Sequence, residues 1–153
     1  MSMQPKAKPA PVEWQPSDSA ELYRIPSWGD PFFFVNDKGH MAVRALDEQG
    51  TTMDVVDIVN ELRRRGVQFP VLLRFQDVLR AQVRRVNEAF RSAIAESSYG
   101  NVYRGIYPIK VNQLHEVVDE LLEAGRPYGM GLVCGSKAEL IAWLPHIGGE
   151  AAL

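Results

Sequence analysis

Three times along this chain a short apolar run gives way to a stretch of helical periodicity, and that alternation restricts the fold more than any other feature. Residues 69–75 (FPVLLRF) precede a helix on which Leu79, Val83, Val86, Phe90 and Ile94 share one face. Residues 102–109 read as a second strand, followed by Leu114, Val117, Val118, Leu121 and Leu122 at helical spacing and closed by Gly125. A third strand is expected over 128–133 and a further helix over 136–144, before Pro145. Strands that each feed a helix pair in parallel through right-handed crossovers, so the class is α/β. A doubly wound sheet and a (β/α) barrel both produce this alternation, and periodicity does not choose between them.

The upstream part reads differently. The run Pro31-Phe32-Phe33-Phe34-Val35, the turn residues Asn36-Asp37-Lys38-Gly39 and a return over 40–43 predict a β-hairpin. Thr51 and Asp54 have the spacing of a helix start, and Val55, Ile58, Val59 and Leu62 then fall on one helical face. Arg63, Arg64 and Arg65 complement the carbonyl end of that helix, and Gly66 stops it. Residues 1–20 are rich in Pro, Lys and Ser and are expected to lack fixed structure.

Composition narrows the function classes without naming one. The 153 residues are 46% hydrophobic and 24% charged with a net charge of −2, which supports a buried core and argues against a nucleic-acid partner. No apolar run approaches the ~20 residues that cross a bilayer, and prolines stand where a signal peptide would be apolar. A cytoplasmic protein without membrane contact is the expectation. The single cysteine, Cys134, excludes an internal disulfide.

Chemistry concentrates in Tyr107-Pro108-Ile109-Lys110-Val111-Asn112-Gln113. Lys110 falls at the C-terminal end of a predicted strand, the end that faces the active site in a (β/α) barrel. Apolar surroundings favour the neutral amine, which is the nucleophile for a Schiff base. A strand-end lysine can also lay its stem along the surface with its charge in water.

The neighbouring residues decide between these readings. The stretch Pro-Ile-Lys-Val-Asn-Gln resembles the cofactor-lysine motif of the barrel-type decarboxylases that use pyridoxal phosphate, in the form found in biosynthetic arginine decarboxylases. Arg74-Phe75, Asn87-Glu88-Ala89-Phe90 and Gly135-Ser136-Lys137-Ala138-Glu139-Leu140 follow in the family's order, so the resemblance runs from about Tyr23 to Gly148. It implies a partial parallel (β/α) barrel over 51–153, preceded by a hairpin region over 21–50 and the segment 1–20. It also implies that Lys110 is the catalytic lysine and carries pyridoxal 5'-phosphate covalently. The substrate would be L-arginine, the products agmatine and CO2 on the way to polyamines, and the full-length enzyme a homo-oligomer. The family is associated with Mg2+ as well, although no carboxylate cluster here is assigned to a metal.

Glu139 is the second cofactor-binding candidate that the resemblance implies. Ser136-Lys137-Ala138-Glu139 also has the spacing of a capping box, which alone accounts for these residues. Val133 departs from the family, which carries an acidic residue there. Cys134 reads as a small buried hydrophobe, His115 as a solvated or capping histidine, and the arginines of the 78–94 helix as a solvated face. Three parallel strands cannot close a barrel of eight, so the chain is expected to be a piece of something larger and inactive alone. The alternative is a non-catalytic, truncated homologue that acts as an interaction fragment. An unrelated nucleotide or sugar-phosphate binder would need a glycine-rich strand-to-helix turn, and neither junction before residue 135 has one.

Overall fold

The computed structural model describes residues 13–45 and 50–144, which fall into two units, one up to Pro70 and one from Val71 onward. The first unit opens with helix α1 (Pro16–Leu22), which begins within the span 1–20 expected to lack structure. Pro16 pre-sets the first helical turn, and the Gln15 amide donates to Asp18 Oδ2 at 2.8 Å, so local capping outweighs the polar composition. The rest of that expectation, residues 1–12, lies outside the described residues. Helix α2 (Ile25–Gly29) buries Ile25.

Strands β1 (Phe33–Val35), β2 (Met41–Arg44) and β3 (Thr52–Asp54) form one antiparallel sheet in that order. Phe33 pairs with Val43 and Ala42 with Asp54. Asn36 builds the β1–β2 turn by accepting the Lys38 and His40 amides on Oδ1, each at 3.0 Å, and Gly39 takes φ +78°. Val43 is fully buried, and Ile25, Phe32 and Ala42 of this unit are buried as well.

Helix α3 (Val55–Arg64) begins later than the Thr51 spacing predicts. Residues 52–54 instead find ladder partners in β2, and Asp54 caps the helix alone by accepting the Val56 amide at 2.8 Å. The same carboxylate accepts from Asn36 at 2.9 Å and lies 2.8 Å from His40 Nδ1. The His40 hydrogen bond is the largest cause that brings Asp54 from 3.8 down to about 2, against the opposing effect of burial. At the other end of α3, Gly66 sits at φ +74° while the Val67 amide returns to the Leu62 carbonyl, the glycine stop that the sequence predicts.

In the second unit, residues 71–75 are not a strand, and Leu72 is 74% exposed. The apolar run was expected to be buried on both faces. Among the described residues no strand pairs with it, and without a neighbouring edge an extended run leaves its backbone to water. Helix α4 (Gln76–Glu96) follows as expected, but its buried positions are Ala81, Val83 and Asn87, while Val86 and Phe90 stay about half exposed. Val83 belongs to two overlapping apolar stripes, and periodicity cannot say which of them turns inward. Phe90 is covered instead by Tyr103, stacked at 3.8 Å and 8°.

Strand β4 (Ile106–Pro108) is shorter than the expected 102–109, because Ile109–Val111 tightens into a 3₁₀ turn. Helix α5 (His115–Gly125) packs against α4 and leads to β5 (Gly131–Val133), which lies parallel to β4 with Pro108 opposite Val133. Gly125 is required at its position, since a Cβ there would lie 2.5 Å from Met130 Cβ. Helix α6 (Lys137–Trp143) closes the described chain. Ile109, Val118 and Trp143 form the core of this β–α–β–α segment, with Tyr107, Leu122, Leu132 and Cys134 packed around them. Cys134 is therefore a half-buried packing residue.

Candidate functional site

Two short parallel strands end at the same side of their sheet, and the two candidate residues sit just beyond those ends. β4 delivers Lys110. Its neighbour Ile109 has no solvent exposure, whereas Lys110 itself is exposed in the turn. Adjacent residues thus divide the work: the isoleucine pins the backbone into the core and the lysine projects out of it. Tyr107 adds a brace by donating its hydroxyl to the Asn112 carbonyl at 3.2 Å, across the turn that contains Lys110. Asn112 Oδ1 accepts the Leu114 amide at 3.1 Å and fixes the start of α5. Tyr107 and Asn112 had no role assigned from sequence, and their presence on either side of the lysine was the available signal.

β5 delivers the second candidate. Ser136 Oγ accepts the Glu139 amide at 3.2 Å, and Glu139 Oε2 accepts the Gly135 amide at 2.6 Å. Half of the capping box is therefore built, the Ser136 side; the Glu139 carboxylate takes the Gly135 amide, one residue before the cap, and is committed to the strand-to-helix turn through one oxygen. Val133, opposite Pro108, is 48% exposed and presents an apolar side chain at the strand end.

His115 is the first residue of α5. Its Nδ1 lies 2.9 Å from Asp119, and its ring is 5.7 Å from that of Trp143 at 34°, so it ties α5 to α6. The arginines of α4 are not a uniformly solvated face. Arg80 pairs with the buried Glu120 and, at 3.0 Å, with Glu123 of α5. The Glu120 hydrogen bond, partly offset by burial, raises the Arg80 pKa further above its ordinary value. Arg91 lies 4.4 Å over the Tyr128 ring and donates to the Pro127 carbonyl at 3.0 Å. Among the described residues no three His, Cys, Asp or Glu side chains come together as a metal site.

The arrangement defines the class: an α/β protein whose candidate site is a lysine at the carboxyl end of a parallel strand. Comparison with known proteins then shows which particular proteins the chain is similar to. No protein-family model matches the chain. It is 44% identical over 92% of its length to the biosynthetic arginine decarboxylase of Gloeobacter violaceus, and 43% identical over 95% to that of Synechococcus sp. RCC307. Among solved structures it is similar to the biosynthetic arginine decarboxylase SpeA of Campylobacter jejuni, with a TM-score of 0.75 and 33% identity over 84% of this chain. The chain is a homologue of the biosynthetic arginine decarboxylases. It spans 22% and 23% of the length of the two curated relatives and 21% of the solved chain.

Proposed function

We propose that the chain forms part of a pyridoxal-phosphate-dependent enzyme that decarboxylates L-arginine to agmatine and CO2, with Lys110 as the residue that holds the cofactor. The position of Lys110 carries this reading: an exposed lysine at the end of a parallel strand, in the turn braced by Tyr107 and Asn112. Homologues named arginine decarboxylase support the substrate and the reaction. A partial (β/α) barrel is the architecture we infer for residues 71–144, with β4 and β5 as two neighbouring strands of it.

The described residues fit one end of the cofactor. Among them no carboxylate is paired with Lys110, which leaves its amine available to an aldehyde carbon. The neighbouring strand end presents Val133, not an acid, so no carboxylate partner for a ring nitrogen stands there. Glu139 keeps one carboxylate oxygen free beyond the cap and would line the cofactor from β5. When bound, pyridoxal phosphate supplies the electron sink that accepts the pair left as CO2 departs. Lys110 holds the cofactor in place and, once released, is positioned to move a proton at its Nζ. Ile109 and Tyr107 fix the backbone of the turn from which that side chain projects.

A second reading is a non-catalytic homologue, favoured by Val133 at the strand end. One experiment addresses both. The purified chain is incubated with pyridoxal phosphate, reduced with borohydride and peptide-mapped. The first reading expects a pyridoxyl group on Lys110 well above that on Lys38 and Lys137. A folded sample in which Lys110 is labelled no more than those lysines would overturn it.

A further inference from the structure

The end of the β4–β5 sheet opposite Lys110 gathers positive charge. Arg84 and Arg91 lie seven residues apart on α4, two turns along one face. Arg104 comes from the segment before β4, and Arg126 opens the 3₁₀ turn Arg126–Tyr128 that leads to β5. The four meet at that turn. The Arg91 guanidinium lies 4.4 Å over the Tyr128 ring and donates to the Pro127 carbonyl at 3.0 Å. Arg104 Nε stands 3.9 Å from where a Cβ on Gly129 would be. Arg84 reaches the Tyr128 hydroxyl electrostatically: burial and the Glu88 hydrogen bond raise the pKa of that phenol, and Arg91 and Arg84 oppose the rise. All four arginines are exposed. Among the described residues Arg91 meets one carboxylate, Glu88 at 3.5 Å, while Arg84, Arg104 and Arg126 make no ion pair within 4.0 Å.

Complementing the carbonyl end of α5 accounts for Arg91 and Arg126 and leaves Arg84 and Arg104 unexplained. Guanidiniums brought together from three separate segments repel one another, and a bound anion relieves that repulsion. We propose that this cluster binds a small anion carrying two or more phosphate groups. Guanidiniums suit phosphate because they donate paired hydrogen bonds to its oxygens. The backbone offers little here, since the amides of Gly129, Met130 and Gly131 already donate to the carbonyls of Arg126, Gly125 and Gly105. Arg126 and the Gly129 position beside Arg104 are one 3₁₀ turn apart, about 6 Å, a spacing that suits more than one phosphate. Glu88 is engaged by the Tyr128 hydroxyl at 2.9 Å as well as by Arg91. The charges are exposed and screened, so the affinity is expected at about 0.1–1 mM. The cluster uses neither Lys110 nor a cofactor, so its failure and that of the lysine reading are separately observable.

The test titrates the ¹⁵N-labelled 153-residue chain with tripolyphosphate and, separately, with ATP, at an ionic strength held constant with sodium chloride. Saturable shifts of the Gly105, Gly129 and Met130 amides are expected with both, weakened about fivefold by Arg84→Gln and by Arg104→Gln. Arg85→Gln removes the same charge about 100° round the helix and should leave the affinity unchanged. ATP binding about tenfold tighter than tripolyphosphate would support a nucleotide as the ligand, and equal affinity the phosphate chain itself. Circular dichroism confirms that the variants fold. The absence of saturable shifts at these amides with either anion overturns the proposal, as does parent affinity in the Arg84→Gln, Arg104→Gln double variant. An equal loss in Arg85→Gln also overturns it, because attraction to any surface arginine would then suffice. So does sulfate binding as tightly as tripolyphosphate, which would leave the second phosphate without a role.

Discussion

Glu139 turns its carboxylate back onto the amide of Gly135 at 2.6 Å, so the acid proposed to line the cofactor also holds the turn that caps a helix. The two roles make different demands. A cap needs an acceptor at that position, which glutamine also provides, whereas a role toward a cofactor can depend on the negative charge. We expect Glu139→Ala to cost about 1 kcal/mol through the lost cap, and Glu139→Gln to cost a few tenths. Urea denaturation of both variants measures this. Labelling of Lys110 that falls in Glu139→Gln at unchanged stability would assign the charge to the cofactor.

Replacing Lys110 by alanine should abolish the borohydride-trapped adduct and leave the fold intact. The side chain is exposed and unpaired, so the expected change in stability is within about 0.5 kcal/mol. Mass spectrometry reads the first outcome and thermal melting the second. Loss of fold in this variant would mean that the lysine contributes to packing in a way the turn does not reveal.

The purified 153-residue chain should form no measurable agmatine from L-arginine, even with pyridoxal phosphate present. It spans about a fifth of the enzymes it resembles, and the strand end opposite Pro108 carries Val133 and no carboxylate. A coupled assay for CO2 release checks this, and turnover above a Lys110→Ala control would contradict it.

Acid should weaken the first unit through Asp54. Its carboxyl titrates at about 2 in the folded chain against an ordinary 3.8, so the folded state holds the charged form more strongly. That contribution is complete above the ordinary value and disappears as the pH falls from about 4 toward 2. Asp54→Asn should therefore be less stable than the parent at neutral pH, and the gap should close toward pH 2. Urea midpoints measured across that range test it.

Arg80→Met should destabilise the α4–α5 pair by about 2 kcal/mol, since it strands the buried Glu120 without its partner. The figure is below that of a fully buried pair because Arg80 is 42% exposed. Changing both residues to methionine should recover most of the loss, which a double-mutant cycle on denaturation midpoints measures.

Local signals in the sequence were read correctly where the answer was local. The Gly66 stop, the Ser136–Glu139 cap and the run of α5 depend on residues within a few positions of one another, and the structure has them. What failed required knowledge of a neighbour. Residues 69–75 are apolar enough for a strand, yet a strand exists only against an edge, and composition does not report whether one is offered. Residues 52–54 became β3 because β2 had such an edge free. On α4 the inward position fell to Asn87 and not Val86, a choice between adjacent stripes that helical spacing leaves open. Lys110 is proposed from its own motif, whereas the tie between Arg80 and Glu120, forty residues apart, left no mark that spacing could detect.

The burial of Ile109 beside the exposure of Lys110 has a consequence for how such a site can change. As the proposed nucleophile, Lys110 stands one peptide away from a sealed core, and its backbone inherits the core's rigidity without supplying any of it. Its aim can be altered by substitutions that never touch solvent, so a variant with an unchanged surface could still lose its chemistry.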